Sequence, residues 1–442
     1  MKKKPLLTLV FLAAASAAWS QSNSPYSRYG LGDLLPNNNI TSRGMGGLSA
    51  GYADVISVNF TNPASYSSFF ALKEKNSNKL QTGRVILDAG INIENRTLIA
   101  PNTTQRFTSS DVYFSYLQVG IPLRKNWGLS FGLRPLSRIS YRINRVERLT
   151  DPVSGNYIDT ALTQFTGSGG SFLPSIGTGF AIGNLSLGVN GGFLFGKKET
   201  GTLRNLIDTI QHAGSNYTND FSFGGLYYNA GLQYKINLKK DNYIRLGLAV
   251  STKQTIKGSQ DQLRQTYTTG SAGEIIQIDS VYRQSDVKGE IVYPASYTAG
   301  FVVGNDVKGW VFGADYIQNK WSDYRFFGQT DSVQDSWKVQ AGAQFRPTPG
   351  TGYFSRLGYR VGFYAGTDYI RLDQKLPIMG ASFGLAIPVR PSRMAPNQFS
   401  TFNLAFEYGK RGNNDNRLKE NLFRLSVGFS FTDLWFTKRK YD

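Results

Sequence analysis

Four arginines, Arg138, Arg142, Arg145 and Arg148, recur every three or four residues along one stretch of the chain. Guanidinium forks present paired donors, so this spacing suits carboxylate or phosphate oxygens. A solvated basic rim is the plain alternative. Acid–base and nucleophilic chemistry have less to work with. His212 is the sole histidine and there is no cysteine, whereas a hydrolytic triad leans on a histidine base. No His/Cys cluster could hold zinc, and Asp323, Asp331 and Asp335 are too scattered for a calcium cage. Gly44-Met45-Gly46-Gly47 and Gly167-Ser168-Gly169-Gly170 have the glycine content of phosphate loops without the strand–turn–helix setting that chemistry requires. The first reads as a tightly packed turn and the second as a bend. Neither an enzyme nor a cofactor or metal site is expected.

The elements that must position these residues are strands. In 423–431, Phe423, Leu425, Val427, Phe429 and Phe431 alternate with Arg424, Ser426, Gly428 and Ser430; 226–234, 337–346 and 402–409 alternate in the same way. Period 2 over about ten residues is the pattern of a tilted membrane strand, one face to lipid and one to a lumen. Fourteen such segments run from residue 85 to residue 437. The spacing predicts tight turns after even strands, such as Lys125-Asn126 and Gly183-Asn184, and long outer loops at 144–165, 201–218 and 257–286. Trp127, Trp310, Trp337 and Trp435 fall near strand ends and read as interfacial anchors.

The chain opens with Lys2-Lys3-Lys4, an apolar run to Ala18 and Ala18-Trp19-Ser20, the layout of a cleaved secretory signal over residues 1–20. Three of the +19 formal charges lie in that segment. In an exported basic chain, outer-leaflet lipid phosphates are better partners than nucleic acid. The expectation is therefore an all-β outer-membrane barrel of about fourteen antiparallel strands over residues 85–442, monomeric, with both termini in the periplasm. Residues 21–84 hold small side chains and no strand pattern, and a barrel this wide must be filled with water or plugged. They are expected to form the plug.

Asn62-Pro63-Ala64 falls in that plug. It resembles the Asn-Pro-Ala signature of the N-terminal hatch in the FadL/TodX family of outer-membrane transporters for hydrophobic compounds. "WVFGADYIQNKWSDY" (310–324), "DSWKVQAGAQFRPTP" (335–349) and "YPASYTAGFVVG" (293–304) are similar to consecutive strands of that family, in order. The ends "SPYSRYGLGD" and "LWFTKRKYD" look like its Bacteroidetes branch, which includes LptO/PorV-like subunits of secretion machinery. The resemblance implies a hatch gated around Asn62, Pro63 and Ala64, and a break in the third strand that opens sideways into the membrane. Pro135 lies in that strand and cannot donate to a ladder; a strand end where two segments merge would also explain it. Ligand would be steered by Arg138 or Arg142 and released beside Pro135, and Arg138, Arg142 and Arg145 would contact anionic groups or lipid phosphates. One departure stands out: Arg245, Lys338, Arg346, Arg356, Arg360, Glu407 and Arg424 fall on the lumen parity, where a hydrocarbon carrier needs apolar lining. Two functions follow: passive uptake of a hydrophobic or amphiphilic small molecule, or an accessory subunit of a secretion or barrel-assembly complex. A general diffusion pore would be obstructed by residues 21–84.

Overall fold

The computed structural model describes residues 23–73, 80–101, 105–207, 213–270, 274–348, 352–389 and 399–435. The predicted signal segment, His212 and the end of the C-terminal tail lie outside them. The N-terminal segment carries a two-residue strand β1 (Asp33–Leu34), a one-turn helix α1 (Ile40–Arg43), a 3-10 turn (Pro63–Ser68) and β2 (Ala71–Lys73). The wall follows as β3 (Leu80–Ile99), β4 (Arg106–Arg124), β5 (Trp127–Thr150), β6 (Tyr157–Ile182), β7 (Leu185–Leu206), β8 (Gly214–Asn237), β9 (Asn242–Ser251), β10 (Gln254–Thr269), β11 (Ile275–Tyr293), β12 (Ser296–Asn305), β13 (Trp310–Asn319), the two-residue β14 (Arg325–Phe326), β15 (Ser336–Phe345), β16 (Gly358–Arg371), β17 (Lys375–Val389), β18 (Phe399–Arg411) and β19 (Lys419–Trp435).

β9 and β10 are one wall strand interrupted at Thr252-Lys253, and β11 and β12 one interrupted at Pro294-Ala295. Leaving β14 aside, the wall therefore has fourteen antiparallel strands. Pairing of β19 with β3, from Trp435↔Gly83 to Lys419↔Ile99, closes it, which removes the sheet edge that lipid could not satisfy.

Alternation sets the two faces as expected. Leu226, Tyr228, Leu232 and Tyr234 are exposed, whereas Tyr227, Asn229 and Gln233 between them are buried. Arg356 is a correction: it lies in a 3-10 turn after β15 and points to solvent, not into the lumen. The predicted outer loops are a second correction. Most of 144–165, 201–218 and 257–286 is ladder, in the hairpins β5–β6, β7–β8 and β10–β11, which run far past the ten-residue β9, β12 and β13. Both faces of β11 are exposed over 275–286, so no apolar alternation marks it. Thr, Tyr, Val and Ile carry such a wet ribbon through β-propensity and backbone pairing.

Candidate functional site

The N-terminal segment fills the lumen. Ile40, Met45, Leu48, Val58, Phe60, Ala64 and Tyr66 are almost fully buried within it. Asn39 caps α1 by accepting from the Ser42 N–H (2.8 Å) and donates to the Val58 carbonyl (2.9 Å). The plug backbone presses directly on the wall at several wall glycines. A Cβ at Gly247 would strike Ala50, at Gly342 Met45, at Gly362 Gly46, at Gly188 and Gly179 Pro63, and at Gly128 Tyr66. Several of these are cross-strand neighbours: Gly128↔Gly179↔Gly188↔Gly231 on one side, Gly313↔Gly342↔Gly362 on the other. A girdle of glycines thus replaces the side-chain layer that would otherwise separate plug from wall.

Wall side chains then satisfy the plug's backbone. Asp315 accepts from the Ser49 and Ala50 N–H groups (2.6 and 2.9 Å), Asp88 from Val58 N–H (3.2 Å), and Gln340 donates to the Gly47 carbonyl (2.7 Å). Asn62 works in the other direction. Its amide donates to Ala50 (2.7 Å), to Leu248 of β9 (3.3 Å) and to Leu232 of β8 (3.4 Å), while its oxygen accepts from Ala64 N–H. Pro63 opens the 3-10 turn and Ala64 is fully buried. In the first glycine motif, Gly46 and Gly47 adopt φ of 70° and 102° at the plug's tightest turn. In the second, Gly169 and Gly170 pair with Ile139 and Arg138, just past the bulge that β5 forms between Pro135 and Ser137.

Asp54 ties the plug to the short-turn end of the barrel through Arg346 (3.1 Å). Burial alone would raise this carboxyl, but Arg346 and Arg360 outweigh it and hold it below the ordinary carboxylate range. A carboxyl lowered in the folded state contributes stability that is fully present above its unfolded pKa of about 3.9 and is lost as pH falls through the lower folded value. The plug should therefore resist protease at pH 5 as at pH 7 and loosen only in stronger acid. Asp54→Asn should make it protease-sensitive already at neutral pH.

Above the plug lies a cavity of about 390 Å³. An aromatic cap closes its far side, with Trp321 against Tyr369 (4.3 Å between rings), Tyr324 and Tyr293. A buried charge network forms one wall. Arg96 pairs with Asp33 (2.8 Å), Glu94 (2.8 Å) and Glu420 (3.1 Å); Arg411 with Asp33 (2.9 Å), Asp368 (3.0 Å) and Glu420 (3.2 Å); Arg424 with Glu94 and Glu407 (both 2.9 Å). Arg134 and Lys338 on the cavity lining stand apart from it. Arg134, 2% exposed, stacks over Phe60, and its Nε finds no hydrogen-bond partner among the described residues. Lys338 lies over the Tyr364 ring with no carboxylate in ion-pair range among them.

Beside the cavity the wall is split. β4 pairs with β5 only from Arg124↔Trp127 to Leu117↔Leu133. Beyond that, β4 follows β3, and β5 follows β6 through Pro135, which opens two residues past the last β4 pair. Residues 23–35 line the seam as a strap: β1 pairs with Ser137 and Arg138, Leu35 N–H donates to Leu136, Ser24 N–H to Ser140, and Asn23 bonds the Arg142 backbone twice. Of the predicted anion contacts, Arg138 is ion-paired with Asp111 of β4, and Arg145 pairs with Glu147 (3.3 Å) on the exposed rim. Arg142 and Arg148 are exposed on that rim, Arg148 over Tyr157. The seam thus brings together Pro135 and Arg138 but not Arg145, and Asn62–Ala64 sit against Gly179, Gly188 and Gly231 of β6, β7 and β8. The sequence reading missed Asp33, Glu94, Arg96, Arg134 and Arg411. Polar parity inside apolar strands is the signal that marks Glu94, Arg96 and Arg134.

A family model described as BamG matches residues 1–442. No curated protein matches the chain. Among solved structures, a Pseudomonas aeruginosa FadL homologue aligns over 92% of this chain and 99% of its own at 12% identity, with a TM-score of 0.53. The Pseudomonas putida toluene transporter TodX aligns over 90% and 98% at 14% identity, with a TM-score of 0.50. At these identities the likeness is one of fold, an outer-membrane barrel of FadL type.

Proposed function

The chain belongs to the BamG family, and on that footing we propose that it is a passive outer-membrane channel for amphiphilic small molecules carrying an anionic group. The observation that carries this reading is the cavity between plug and cap, where Arg134 and Lys338 face in with no carboxylate in ion-pair range among the described residues. A buried cation without a counter-ion is costly, and an anionic head group would relieve it. Tyr227, Tyr293, Leu136 and Trp321 on the same lining offer apolar and aromatic surface for a short tail. Hydrocarbons are a poorer fit, because the charge network leaves them little dry surface.

In this reading the long hairpins face outward, both termini lie on the periplasmic side, Asn62–Ala64 hold the plug in place, and ligand leaves sideways past Pro135. Arg142 and Arg148 on the exposed rim meet outer-leaflet lipid phosphates. The test compares dodecanoate with dodecanol on the purified protein in nanodiscs. Dodecanoate should bind and dodecanol bind much less; Arg134→Leu and Lys338→Met should each weaken dodecanoate by about ten- to a hundred-fold, the value of one charged hydrogen bond. Equal, weak binding of both ligands to the parent would sink the reading.

A second reading, an accessory subunit of a secretion or barrel-assembly complex, has its own support. The glycine girdle and the buried bonds to Asp315, Asp88 and Gln340 fix the plug along much of its length, more than a moving gate needs. A stoichiometric partner in native-membrane pull-downs, together with no dodecanoate binding, would select it.

A further inference from the structure

We propose that the β4–β5 seam is a gate, held shut by the Arg138–Asp111 ion pair acting over the strap of residues 23–35. The proposal rests on the lateral-exit reading above and names how that exit is controlled. Backbone pairing does not join the upper halves of these strands: among the described residues, β4 above Leu117 is laddered to β3 and β5 above Leu133 to β6 and the strap. Arg138 spans the gap from β5, lies over Tyr113 of β4 and pairs with Asp111. Asp111 is largely buried and Arg138 about one-third exposed. A pair in that setting, with little water to compete, is worth far more than one on an open surface.

The strap beneath is held at its far side by Asp33, which bridges Arg96 of β3 and Arg411 of β18. On one side it is bonded to β5, and on the other Gly30 meets Asp331 and Lys198 while Tyr26 reaches the Leu418 carbonyl. The strap thus backs the seam from inside, and the ion pair that joins β4 to β5 directly across the gap is Arg138 with Asp111. Opening would join the cavity lined by Asp33, Leu35 and Arg96 to the smaller pocket at the seam, which shares those three residues.

The chain has no cysteine, so spin labels can be placed cleanly at Phe107→Cys on β4 and Val146→Cys on β5, both exposed, in the full-length protein in nanodiscs. The parent should give one short distance population. Asp111→Asn and Arg138→Gln should each add a longer population, and the charge-swapped pair Asp111→Arg/Arg138→Asp should remove most of it. Heat-modifiable migration on gels identifies any variant that has not folded, and Arg138→Lys, which keeps the charge, should stay closed. An unchanged distance in both single variants overturns the latch. Separation that widens without faster dodecanoate passage upholds the latch and rejects lateral exit, so the two ideas fail separately.

Discussion

Replacing both Gly247 and Gly362 by alanine is expected to unseat the plug. At Gly247 the new methyl would enter the Ala50 carbonyl, and at Gly362 the backbone of Met45 and Gly46. Both partners are main chain inside a closed lumen, so neither can turn away as a side-chain tip would. Overpacking a well-filled interior costs about 1–3 kcal/mol per site. The two sites clasp different parts of the plug, near Ala50 and near Gly46, so their costs should add. The loss should appear as protease cleavage within residues 40–70 and as steady conductance in planar bilayers. Gly191→Ala on β7 is the control: its Cβ meets nothing within 4 Å, so the plug should stay seated. A sealed double variant would show that the girdle is slack.

The wall was legible because one face of every strand crossing the membrane must be apolar. Phe423, Phe402 and Val339 announce that face, and they are exposed on the barrel. The upper ribbons answer to no such rule. At β11 both faces are wet, and sequence alternation had nothing to report. The plug was legible only by what it lacked, a strand pattern, together with Asn62-Pro63-Ala64. Its contacts were not legible, because the residues it needs opposite it are glycines, and a glycine in a strand does not say what approaches it. Arg138, Arg142 and Arg145 drew attention by their spacing; in the structure Arg138 pairs with Asp111 and Arg145 with Glu147, while Arg142 is exposed on the rim. Arg134 and Lys338, which have no carboxylate in ion-pair range among the described residues, come from strands about 200 residues apart, and only the closed barrel sets them on one cavity.

Arg424→Met should be the most destabilising single change in the charge network. Arg424 reaches Glu94 and Glu407 at 2.9 Å each, and all three side chains are nearly buried, at 8%, 9% and 13% exposure. Removing one partner of a buried pair leaves an uncompensated charge and costs about 3–5 kcal/mol. Here Glu94 keeps Arg96 as a second partner, whereas Glu407 loses its ion pair and retains the Tyr364 hydroxyl (2.8 Å). Most of the loss should therefore be recovered in Arg424→Met/Glu407→Gln, which withdraws the stranded carboxylate along with its partner. Arg145→Met supplies the contrast. Its pair with Glu147 is 64% and 42% exposed, so water screens it and the change should cost under about 0.5 kcal/mol. Urea-titrated folding into lipid vesicles measures all three. If Arg424→Met and Arg145→Met shift the midpoint equally, burial is not what gives the network its strength. If the double variant is no better than the single, the loss lies in packing around the arginine stem rather than in the stranded charge.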